Sequence, residues 1–151
     1  MIRSDAEYRE ARRRLEQDRD VAEKQRAALV AAGLLSEEVE RAMQPLLSFQ
    51  AQLEEEIAWY DAVRQGHFPT IRNLTQIGRL LVALRIAQGV TQRELASRLG
   101  VSESVVSRDE RNEYHGVTLE RAQKVIEALG VPVTTRVGEP EEAEGKELVP
   151  A

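Results

Sequence analysis

The stretch "TQRELASRLGVSESVVSRDE", Thr91 to Glu110, decides the fold. Thr91 followed three residues on by Glu94 is a capping box that starts a helix. Gly100 supplies the left-handed residue that ends it, and Ser102 reads as the N-cap of a second helix carrying Val105 and Val106. Ala96 is small enough to let the two helices approach, and Leu95, Leu99, Val101 and Val106 are the expected packing between them. Two capped helices joined by a glycine turn place the second outward on a rigid base. By spacing alone, the arrangement suits a reader of DNA and an inert bundle equally well.

Short helices flank this stretch on both sides. Ile77, Leu80, Leu81, Leu84 and Ile86 supply one that ends at Gly89. "NEYHG" (112–116) is a loop, and Thr118 caps a further helix whose Leu119, Ala122, Val125, Ile126 and Leu129 face inward until Gly130. "VPVTTRV" alternates Val131, Val133, Thr135 and Val137, which predicts a short strand over 132–138. Residues 139–151 have the composition of a solvated acidic tail.

The first half of the chain is built differently. Tyr8, Ala11, Leu15, Asp18, Ala22, Gln25 and Leu29 step by three and four, the seam of a long helix capped by Ser4 or Asp5 and closed at Gly33. A second seam runs through Val39, Met43, Leu46, Gln50, Leu53, Ile57 and Tyr60, with Ser36 as its expected N-cap and Pro45 expected to kink or divide it. Two seamed helices on a short loop form an antiparallel hairpin. Its surplus apolar surface, including Phe49 and Trp59, should seek the second domain or another copy of the chain; Trp59 and Tyr60 are candidate anchors for a protein interface. The expected organisation is all-α: a hairpin over 1–66, a linker over 67–76 that includes the start of the first bundle helix, and a short-helix bundle over 77–131.

Composition excludes several classes of chemistry. Cysteine is absent, which removes disulfides, thiolate metal sites and cysteine nucleophiles and fits a cytoplasmic location. His67 and His115 are not spaced as a ligand pair, and no nucleophile with an orienting partner is recognisable, so neither enzyme nor cofactor is expected. The charged start "MIRSDAEYRE" is no signal peptide, and the most apolar run, "IGRLLVALRIA", is too short for a bilayer. Net charge is −5, but its distribution is uneven. Residues 69–138 hold 10 basic and 7 acidic side chains, against 10 and 14 in residues 1–68. Fields are local once salt screens beyond about 10 Å. Charge therefore permits DNA binding in the second half without establishing it.

"LRIAQGVTQRELASRLGVSESVVSRDE" (84–110), with the closing pattern "TLERAQKVIEALGV" (118–131), resembles the phage-repressor-like, or XRE-type, helix-turn-helix regulators. "YREARRRLEQ" and "EEEIAWYDAVRQG" also look like segments of small bacterial regulators and antitoxins. The resemblance implies a recognition helix whose Glu103, Ser104, Ser107 and Arg108 read base edges, Arg108 gripping a guanine and Glu103 accepting from a cytosine amino group. An equal alternative for Glu103 is favourable charge at a helix N-terminus. Gln92, Arg111, Asn112 and Tyr114 would touch phosphates, although Tyr114 is as readily packed with its hydroxyl wet. Arg85 and Glu110 occupy the positions of a structural ion pair in the family. Asp109 departs from the family pattern, which places a large apolar residue there; as a buried carboxylate it must find an arginine or backbone amides.

The function implied is sequence-specific binding of duplex DNA by a homodimer, as a repressor or autoregulator. Two alternatives stand beside it. One is an antitoxin that grips a toxin or other protein through the hairpin or the acidic tail. The other is a protein-interaction module that has kept the fold without DNA binding. Arg12, Arg13 and Arg14 read as a solvated helix face, or as an extension of the DNA footprint.

Overall fold

A computed structural model of the chain describes residues 1–135. Six α-helices and one 3₁₀ turn make up its regular structure. Helix α1 (Asp5–Ala31) and helix α2 (Ser36–Arg64) form the antiparallel hairpin, and helices α3 (Ile77–Ala87), α4 (Gln92–Leu99), α5 (Glu103–Arg111) and α6 (Leu119–Leu129) form the bundle. The 3₁₀ turn Leu74–Gln76 leads into α3.

Ser4 starts α1 by accepting from the Glu7 N–H at 3.2 Å. At the start of α2 the expectation needs correcting. Leu35, not Ser36, is the capping residue, and its own N–H donates to Glu38 Oε2 at 2.8 Å, so the side-chain half of the cap comes from inside the helix. Nor does Pro45 divide α2. Proline deletes one backbone donor, while Val39 and Met43 hold the helix ahead of that gap by burial at 3% and 0% exposure. At 27 residues, α1 extends roughly 40 Å at the usual rise. Along it Arg19 meets Glu54 and Arg26 meets Glu40, each at 2.5 Å. Those pairs are exposed and set register more than stability.

The far end of the hairpin has a core of its own, with Ala22, Val39 and Met43 packed by Leu29, Leu34, Leu46 and Leu47. The near end does not. Ile2, Ala11, Tyr60 and Val63 belong to one continuous core with Leu81, Val82, Leu95, Val106, Tyr114 and Val125 of the bundle. Tyr60 is therefore no interface anchor. It is buried, its ring stacks on Tyr8 at 4.9 Å, and its hydroxyl donates to Asp5 at 2.7 Å. Trp59 packs against the same core, whereas Phe49 stays exposed beneath the Arg14 guanidinium. Arg13 pairs with Glu10 and Arg12 lies over the Tyr8 ring, so the basic run of α1 is engaged along its own helix.

Beyond α6, residues 131–135 run without regular structure, so the described part of the expected 132–138 strand is no strand. Alternating valines need a neighbouring strand to bond, and none of the described residues offers one. Residues 136–138 and the acidic segment 139–151 lie outside the described residues.

Candidate nucleic-acid interface

Local signals position α4 and α5. The Glu94 N–H donates to Thr91 Oγ1 at 3.1 Å, and the Thr91 N–H donates back to Glu94 Oε2 at 2.7 Å. These bonds hold the Glu94 carboxyl below its usual range. Gly100 turns the chain at φ 67°. Leu95, Ala96 and Val106 are buried at 2% exposure or less, with Leu99 and Val101 packed beside them. Ser102 occupies the N-cap of α5 without a side-chain bond to the helix backbone, its hydroxyl lying 2.9 Å from that of Ser104.

The helix α5 sorts its charges by face. Glu110 is completely buried, and Arg85 grips it through two bonds, Nε to Oε1 at 2.5 Å and Nη2 to Oε2 at 2.7 Å. Arg85 also donates to two backbone carbonyls, Val90 O at 2.8 Å and Arg3 O at 2.7 Å. Gln92 donates its side-chain amide to Glu110 at 2.7 Å. One N–H of that amide is therefore engaged, and the other is left for a ligand. Asp109 meets Arg121 of α6 at 3.2 Å, the arginine partner its position requires. With both late acids tied inward, the exposed set on α5 is Glu103, Ser104, Arg108 and Arg111, with Ser107 half-buried. Glu103 pairs with Arg93 of α4 at 3.0 Å.

The loop after α5 is held in an uncommon shape. Glu113 and Tyr114 are consecutive left-handed residues, at φ 48° and 54°. Non-glycine residues hold such angles only where their surroundings over-determine them. Here the Tyr114 N–H donates to Asp109 O at 2.7 Å, and the Glu113 carbonyl sits against Gly78 of α3. Tyr114 is packed rather than presented: at 4% exposure its ring is core, which removes it from the phosphate set. Burial and the nearby Glu110 carboxylate push its phenol well above the usual range, so it stays neutral. Asn112 and His115 remain exposed; the Asn112 amide donates to His115 O at 3.3 Å. The roles of Gly78 and Arg93 were not visible in sequence. A glycine inside an apolar helix looks like a mere flaw, and an arginine beside Gln92 like solvated charge.

Residues 81–135 match the family model described as Helix-turn-helix. These residues are an XRE-type helix-turn-helix domain. The match begins within α3 and includes all of α4, α5 and α6. In this helix-turn-helix domain α4 and α5 are the motif helices, and the family is one of DNA-binding regulators. No curated protein and no solved structure matched the chain. No helix among the described residues is long and apolar enough to cross a membrane.

Proposed function

We propose that this chain represses or autoregulates transcription by binding a specific duplex sequence as a homodimer, with α5 in the major groove. One observation carries the reading: α5 turns Asp109 and Glu110 inward and leaves Arg108 and Arg111 exposed without a protein partner among the described residues. Glu103, Ser104, Ser107 and Arg108 are the base-reading set. Gln92, Arg111 and Asn112 touch the phosphates, Gln92 doing so from the N-terminus of α4, where helix charge favours an anion. One recognition helix covers few base pairs, so two copies on half-sites about 34 Å apart supply the affinity. Leu74, Leu119 and Val133 are 42–63% exposed along the α6 side and leave apolar surface for such pairing.

Binding to duplex DNA from the protein's own upstream region, measured across a salt series, tests this. The wild type is expected to prefer one site and to weaken steeply as salt rises. Arg108→Ala should lose roughly 10–100-fold at that site, as one bidentate base contact is lost. Equal binding of the site and of random duplex by both proteins would dismiss the sequence-specific reading, and no binding even at low salt would dismiss DNA binding.

A second reading, a protein partner such as a toxin gripped by the hairpin, draws on a different surface. Val30 and Leu35 at the far end are 59% and 71% exposed. It predicts that Leu35→Asp abolishes a complex with the product of an adjacent gene while DNA binding is kept. An undiminished complex would remove the hairpin tip from the partner site.

A further inference from the structure

Arg93 lies outside both the base-reading and the phosphate sets, yet it touches the one acid that stays outward on α5. Its Nε lies 3.0 Å from Glu103 Oε2, and the side chain is 83% exposed. The two residues sit at the second position of α4 and the first of α5, so the pair bridges the N-termini of both motif helices. An exposed pair of this kind adds almost nothing to folding. Its consequences lie with whatever approaches the surface. A free carboxylate at Glu103 would repel phosphates on the same face as Gln92 and Arg108. Bound to Arg93, its charge is offset, and its orientation is narrowed to one edge. The Nη groups of Arg93 have no partner among the described residues and remain available as donors.

We infer that Arg93 is a specificity-determining residue of the DNA interface: it holds the Glu103 carboxylate in the pose that selects a base, while its free Nη groups donate to the phosphate backbone. This rests on the proposed function and adds to it a second residue for the base position that Glu103 reads. As duplex closes over the pair, water leaves and the local dielectric falls. The ion pair then strengthens in the complex, where it was weak in free protein. Discrimination by Glu103 therefore depends on Arg93, and each residue alone gives a defective reader.

The experiment is a selection from a randomised duplex pool with wild type, Arg93→Ala, Glu103→Gln and the double variant, followed by affinity measurements on the wild-type winner. Arg93→Ala and Glu103→Gln are expected to relax preference at the same base position. Arg93→Ala should weaken binding roughly tenfold or more when made in the wild type and clearly less when added to Glu103→Gln, where only its phosphate contact is left to lose, the signature of coupled residues. Arg93→Lys keeps charge but loses the planar fork, and should keep the salt dependence while losing the base preference. Unfolding midpoints should not move, because the pair is exposed. Independent, multiplicative effects, or preferences relaxed at different positions, overturn the inference while leaving DNA binding intact. A fall in midpoint that parallels the fall in affinity also overturns it, making the pair structural. A wild type that selects no duplex removes the DNA reading itself, and this inference with it.

Discussion

Replacing Glu110 with alanine is expected to lower the free energy of unfolding by about 3–5 kcal/mol, the usual cost of leaving one buried ion without its partner. The cost comes from what stays behind. Arg85 is 3% exposed, and without Glu110 its guanidinium keeps only the carbonyls of Val90 and Arg3. Two neutral acceptors do not compensate a desolvated charge. Gln92 loses its acceptor as well, and the N-terminus of α4 loosens with it. A domain of this size has about 5–15 kcal/mol in total, so the variant should unfold roughly 10–15 °C lower. Urea denaturation checks the magnitude, and a companion variant checks the cause. Arg85→Met added to Glu110→Ala should recover part of the loss, because it removes the stranded charge. A loss below about 1 kcal/mol would mean that solvent reaches the pair.

Gly78→Ala should be nearly as damaging, although on helix propensity alone it gains about 1 kcal/mol. A Cβ at residue 78 would lie 1.7 Å from the Glu113 carbonyl oxygen and 2.5 Å from its carbon. Both are backbone atoms, so no rotamer change relieves the overlap. The loop must lift off α3, and with it the left-handed pair Glu113 and Tyr114 loses the seat that holds it. Overpacking of this kind costs about 3 kcal/mol at the upper end of its range, and here the buried Tyr114 ring is dragged along. Thermal unfolding reads the loss. Amide exchange at Tyr114, whose N–H is bonded to Asp109 O, should accelerate more than exchange in α1. An alanine variant as stable as wild type would show that the loop moves freely.

What could be read from sequence divides by the distance between cooperating residues. Thr91 with Glu94, Gly100, Thr118 and Gly130 act within a turn or two of chain, and each cap stands where it was expected. Asp109 announced a need through its position in the pattern, and Arg121, 12 residues on, supplies it. Gly78 announced nothing, since its partner is the backbone of a loop about 35 residues away, brought close only by the fold. Arg93 and Glu103 sit either side of the motif turn, and only the crossing of two helices brings them together. Tyr114 looked equally suited to core and surface, because an aromatic ring with a hydroxyl serves either. The burial of Ile2 depends on the return of α2 beside α1 and on the docking of α2 against α3, which no local pattern encodes.

The bond from Arg85 to the hairpin ends on a main-chain oxygen, that of Arg3. Every residue carries that oxygen, so an alanine scan through the start of the chain leaves this tie intact, as would natural drift at position 3. The tie depends on where the backbone passes, not on which side chain stands there. The tie itself therefore tolerates a different sequence, provided that the appendage delivers a carbonyl to the same point and fills the core that Ile2, Tyr60 and Val63 share with the bundle.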